Sequence, residues 1–116
     1  MYELILKHKF SAAHKLENYE GACANLHGHT WKIEIRIKTE SLVNDMVIDF
    51  KKLKNAIDEK FDHRYINDQV SYNPTAERIS EDIYKIVEDL LGFKPVQIKV
   101  RVWESDNASI GFTKTL

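Results

Sequence analysis

"CANLHGHTWKIEIRIK", residues 23–38, decides the fold class of this chain. From Trp31 onward the residues alternate strictly. Trp31, Ile33, Ile35 and Ile37 fall on one side, and Lys32, Glu34, Arg36 and Lys38 on the other. Period two with a polar second face predicts an antiparallel strand covered on one side only. The same stretch sets the chain's single cysteine, Cys23, four residues ahead of His27-Gly28-His29. A thiol and two imidazoles thus gather at the mouth of a strand.

Working outward, Tyr2 to Ala12 alternates too, with Leu4, Leu6 and Phe10 on one parity and Glu3, Lys7 and Lys9 on the other. After a turn at 41–45 the period changes. Phe50, Leu53, Ile57 and Phe61 recur at helical spacing behind Asp49, which suits a helix start. The loop "DHRYINDQVSYNP" follows. Pro74 suits the first turn of a second helix, Ile79, Ile83, Ile86, Val87 and Leu90 form its apolar stripe, and Gly92 is its stop. "PVQIKVRVWES" alternates again, with Val96, Ile98, Val100 and Val102 predicted to point inward, and a short strand near 110–113 ends the series. The expected order is β-β-α-α-β-β. That is an α+β domain over residues 1–116, a four-stranded antiparallel sheet with two helices on its apolar face. The other sheet face is polar but carries Trp103, a place for another subunit to pack.

With 116 residues, 43% of them hydrophobic and 30% charged, the chain has the composition of one globular domain. A formal net charge of −1 gives no electrostatic case for nucleic acid or an anionic membrane. No apolar run approaches the roughly 20 residues that span a bilayer. "MYELILKHKF" is charged and alternating, unlike a signal peptide. One cysteine cannot form an internal disulfide, so the expected setting is the reduced cytoplasm.

Strand parity then sorts the chemistry. His27 and His29 share the inward face of Trp31, and His14 has the parity of Leu4, Leu6 and Phe10. If the two strands are neighbours, three imidazoles converge at one end of the sheet. Three neutral histidines on a divalent ion leave one position open, the arrangement of catalytic zinc. Cys23 is then either a fourth, closing ligand or a group that does chemistry beside the metal. His8 carries no motif and is expected at the surface. Asp62-His63 follows the first helix in a loop, where an aspartate can orient an imidazole as a proton relay. Glu104 continues the inward row of the last long strand, so it needs a partner: a cation, a helix N-terminus, or a ligand with two N–H donors. Thr75 and Glu77 in "NPTAE" sit where a helix starts, and free N–H groups there can also hold a polar ligand.

In order along the chain stand "FSAAH", "CANLHGH", "MVIDFKKLK", "FDHRYIN", "NPTAE" and "VWES". Together they resemble the 6-pyruvoyltetrahydropterin synthase / 6-carboxytetrahydropterin synthase family over nearly the whole chain. The resemblance implies the tunnelling fold, with trimers closing sheets into a barrel and pairs of trimers stacking as hexamers. It implies Zn2+ on His14, His27 and His29, Cys23 as a base and not a ligand, and Asp62 and His63 as the rest of the relay. Glu104 would anchor the pterin ring, with Thr75 and Glu77 as further substrate contacts. The three-residue gap between Cys23 and His27 is similar to the carboxy-forming branch. That branch converts 7,8-dihydroneopterin triphosphate to 6-carboxy-5,6,7,8-tetrahydropterin, releasing acetaldehyde and triphosphate, in queuosine and other 7-deazapurine synthesis. The alternatives are a 6-pyruvoyltetrahydropterin synthase, or a zinc-stabilised module that binds pterin without turnover. The chain departs from the family pattern at Asp45, where glycine is common before "MV", at Arg78 (often asparagine) and at Ser105 (often threonine).

Overall fold

The computed structural model describes residues 1–17, 20–21 and 25–114. Two 13-residue strands, β1 (Tyr2–His14) and β2 (His27–Thr39), pair antiparallel from Tyr2↔Thr39 to His14↔His27. Helix α1 (Phe50–Phe61), the two-residue strand β3 (Arg64–Tyr65), the single-turn helix α2 (Ile66–Gln69) and helix α3 (Ala76–Leu90) follow. Strands β4 (Gln97–Ser105) and β5 (Ala108–Phe112) close the order. The sheet runs β3-β1-β2-β4-β5. β1, β2, β4 and β5 pair antiparallel as expected, and β3 adds a short parallel pairing at Ala12 and Ala13 of β1. Two pieces of the predicted loop, β3 and α2, are therefore ordered elements, too short to show any period.

The apolar rows bury against one helix layer. Trp31, Ile33, Ile35 and Ile37 of β2 and Ile98, Val100 and Val102 of β4 are all buried. Over them lie α1 through Leu53, Ile57 and Phe61, packed toward β1, and α3 through Ile79, Ile83 and Val87, packed toward β4 and β5. Asp49 starts α1 as expected, its carboxylate accepting the Lys51 N–H at 2.9 Å.

Three expectations about orientation need correction. Phe50 is 51% exposed, because it opens the first turn of α1 ahead of the stripe that reaches the sheet. Val96 is 44% exposed; it precedes β4, and its N–H donates to the Lys38 carbonyl of β2 at 2.8 Å. His8 is not a free surface residue. It shares the inward parity of Leu6 and Phe10, its side chain is 17% exposed, and its Nε2 lies 2.7 Å from Asp58 Oδ1 on α1. A polar ring in an apolar row needs such a partner.

The residues at the turn after β2 explain one departure from the family pattern. Asn44 and Asp45 have φ of 51° and 63°, and Val43 and Met46 exchange two backbone hydrogen bonds around them. Aspartate tolerates the left-handed region better than most residues, so it can stand where glycine is common. Ile83 is fully buried between α3 and the sheet, and Ile83→Ala should lower stability by about 2–5 kcal/mol, read from denaturant unfolding.

Candidate metal and substrate site

The end of the β1–β2 ladder builds the site. Register sets His14 opposite His27 and Ala12 opposite His29, so all three imidazoles project from one face of adjoining strands. Their ring centroids lie 4.4 Å (His14–His27), 4.5 Å (His27–His29) and 5.2 Å (His14–His29) apart. Glu104 arrives from the next strand, one residue past the Lys32↔Trp103 pair, with Oε2 3.9 Å from His29 Nε2. One ligand atom from each of these four residues falls within a 4.8 Å group, so together they can hold a metal ion.

Backbone carbonyls orient two of the rings. His14 Nδ1–H donates to the Pro74 carbonyl at 2.8 Å, and His27 Nδ1–H donates to the Asn25 carbonyl at 2.7 Å. Each bond leaves Nε2 as the lone-pair nitrogen, the usual arrangement behind a ligating histidine. His14 Nε2 and His29 Nε2 are buried with no hydrogen-bond partner. Buried polar atoms rarely go unpaired, so the donor set fits a cation at its centre. Burial pushes both His14 and His29 below the ordinary histidine pKa, outweighing the Pro74 carbonyl at His14 and the nearby Glu104 at both. The neutral form, the one that ligates, is favoured. Trp31 makes the floor, its indole edge-on to His14 at 4.9 Å and to His29 at 5.5 Å.

Glu104 has no lysine or arginine within 4 Å among the described residues, and its side chain is 32% exposed. The cationic partner that would make it purely structural is not found there. Its carboxylate borders the imidazole cluster and is free to accept further donors.

The remaining predicted residues lie apart from this cluster. Asp62 caps the end of α1, accepts the Ser11 N–H at 3.0 Å, and lies 3.6 Å from His63 Nε2. His63 donates its backbone N–H to the Ser11 carbonyl at 2.6 Å, holds a left-handed φ of 56°, and leaves its ring 82% exposed. The pair is thus tied to β1 three residues before His14, with the His63 ring turned outward. Thr75 is the N-cap of α3, its hydroxyl accepting the Arg78 N–H at 3.2 Å, and Glu77 is exposed in the first turn. Pro74 lies one position before that cap, outside the first turn expected for it. Cys23 lies outside the described residues.

Two asparagines and a proline carbonyl matter that the sequence did not single out. Asn67 grips the backbone of Lys15 from both sides, accepting its N–H at 2.9 Å and donating to its carbonyl at 2.8 Å. Asn73 does the same to Glu17, at 2.9 and 3.2 Å. These amides mimic a strand edge and steer the chain leaving His14 along the α2–α3 loop. The Pro74 carbonyl then meets His14. Only the recurrence of asparagine in "YIND" and "SYNP" hints at this.

Comparison with known proteins settles the lineage. The model of the 6-pyruvoyl tetrahydropterin synthase family matches residues 3–115. The chain belongs to that family. The 6-carboxy-5,6,7,8-tetrahydropterin synthase of Synechocystis is 34% identical over 99 residues, 77% of each chain. The dihydroneopterin monophosphate aldolase of Pyrococcus furiosus is 32% identical over 115 residues, 92% of this chain and 93% of that one. The structure of Caenorhabditis elegans 6-pyruvoyl tetrahydropterin synthase superposes with a TM-score of 0.76 at 20% identity, covering 98% and 96% of the two chains. That likeness places the α+β architecture in the tunnelling fold.

Asn67→Ala removes both grips on Lys15. It should cost about 1 kcal/mol and speed amide hydrogen exchange at Lys15 while leaving Ile35 protected.

Proposed function

We propose that the protein is a zinc-dependent 6-carboxy-5,6,7,8-tetrahydropterin synthase acting on 7,8-dihydroneopterin triphosphate. One observation carries this reading: three imidazoles aim at one point beside a carboxylate that has no cationic partner among the described residues. The family and the naming of the Synechocystis relative support it. Zinc suits a set of three imidazoles with an open position, and when bound it supplies a Lewis acid that lowers the pKa of a hydroxyl it meets.

The chain's own residues do the rest. Glu104 accepts the ring N–H and amino donors of the pterin and fixes its orientation. Cys23 takes a proton from the substrate side chain, and His63, oriented by Asp62, returns one. Thr75 and Glu77, at the mouth of α3, contact the pterin further. Because His63 faces outward in one protomer, a neighbouring copy is needed to bring a second His63 toward a substrate. β1 is paired by β3 only at Ala12 and Ala13, and β5 ends the sheet, so both edges offer strands for assembly into a trimer or hexamer. The physiological setting would be queuosine or related 7-deazapurine synthesis in the cytoplasm.

A second reading follows from the Pyrococcus relative, which covers more of this chain than the Synechocystis enzyme does: cleavage of a dihydroneopterin monophosphate. Incubating metal-loaded protein with the triphosphate and the monophosphate separately, then identifying products by mass spectrometry, tests both. Acetaldehyde with a carboxypterin from the triphosphate is the expected result. A pyruvoyl product would make it a 6-pyruvoyltetrahydropterin synthase, turnover of the monophosphate alone an aldolase, and no turnover a binding module.

Variants apportion the roles. His27→Ala should lose both metal and activity. Cys23→Ala should keep a full equivalent of metal while kcat falls about 10²–10⁴-fold, and Glu104→Ala should raise KM in a protein that still folds. Metal lost from Cys23→Ala would instead make the thiol a ligand.

A further inference from the structure

The sheet face turned away from the helices has a charge pattern that the pterin chemistry does not use. Its outward positions on β1 carry Lys7 and Lys9, those on β2 carry Lys32, Arg36 and Lys38, and those on β4 carry Lys99 and Arg101. Glu3 and Glu34 are the only carboxylates at the outward positions of these strands. This is a cationic face on a chain of formal net charge −1.

Neighbouring side chains cancel little of it. Lys32 pairs with Asp106, and Arg36 pairs with Glu34 at 2.7 Å and Glu3 at 4.0 Å. Lys7, Lys9, Lys38, Lys99 and Arg101 have no carboxylate within 4 Å among the described residues. The register sets Lys7 and Arg101 across from Glu34 and Lys38 across from Glu3, but leaves Lys9 directly across from Lys32 and Arg36 directly across from Lys99. Like charges in directly opposed positions destabilise a sheet unless something bridges them.

The face is also shaped. A cavity of about 400 Å³ lies among Arg36, Lys99, Arg101 and Thr113. A second, of about 690 Å³, lies among Lys7, Lys9, Lys32 and Trp103, and Glu34 borders both. At the first, Arg101 donates to Ser109 Oγ at 3.0 Å and lays its guanidinium over Gly111, where an added Cβ would come within 2.8 Å of Nη2. Glycine at that position leaves room for the guanidinium, whose remaining N–H groups can meet an oxyanion.

We propose that this face binds an oligophosphate anion, seated on Lys99 and Arg101 and reaching toward Lys9 and Lys32. An oligophosphate supplies several oxyanion charges to Arg36, Lys99 and Arg101, where the one carboxylate of Glu34 is shared with Lys7 as well. The site stands on the opposite sheet face from the imidazole cluster and does not depend on the reaction proposed above.

The test is isothermal titration of metal-loaded protein with sodium tripolyphosphate at low ionic strength, repeated with Lys99→Ala/Arg101→Ala and with His27→Ala. Saturable binding is expected, weakened at least about tenfold in the double variant and by added salt, and kept in His27→Ala. No binding, equal binding in the double variant, or binding lost only in His27→Ala would overturn the proposal. So would tighter binding of a single-stranded RNA oligonucleotide than of tripolyphosphate. Circular dichroism of each variant checks that the fold is retained.

Discussion

The pairing of His14 with His27 is the constraint on which the rest depends. Side chains on a strand alternate faces, so a slip of one residue between β1 and β2 would turn one strand's histidines out of the cluster. The same slip would expose that strand's apolar row, either Leu4, Leu6 and Phe10 or Trp31, Ile33, Ile35 and Ile37. Core and imidazole cluster are therefore held by one register. Burial of those rows favours this register, and the register brings the three imidazoles together.

How much of this was legible in the sequence follows from the range of each signal. Period-two alternation revealed the three long strands, and helical spacing revealed α1 and α3, because burial on one face writes itself along many residues. Parity alone placed His14, His27, His29 and Glu104 on one face, and the structure gathers those four. Short elements left no such trace: β3 and α2 have two and four residues, below any period. Phe50 kept the helical spacing and Val96 the strand parity, but both fell beyond the reach of the opposing layer. His8 shows the converse, a residue whose parity pointed inward while its chemistry suggested the surface. The Asp58 carboxylate across the layer interface reconciles the two, and only the fold brings it there.

The supports of the site were the least readable. A backbone carbonyl, such as Pro74 O behind His14, carries no residue-type signal. The grips of Asn67 on Lys15 and Asn73 on Glu17 join positions more than 50 residues apart, and asparagine is equally at home in any turn. Yet these contacts set the tautomer of one imidazole and the path of the chain leaving it. The two sheet faces meanwhile divide the labour. The inner face carries apolar rows ending in the imidazole cluster, and the outer face carries more cations than carboxylates.

The central claim is that the imidazoles of His14, His27 and His29 share one ion while the cysteine stands free. X-ray absorption at the zinc edge of the metal-loaded protein tests it most directly. The account predicts a first shell of nitrogen and oxygen alone at about 2.0–2.1 Å, with imidazole scattering from three rings. A sulfur contribution at about 2.3 Å would contradict it, because Cys23 would then be closing the site it is proposed to serve as a base.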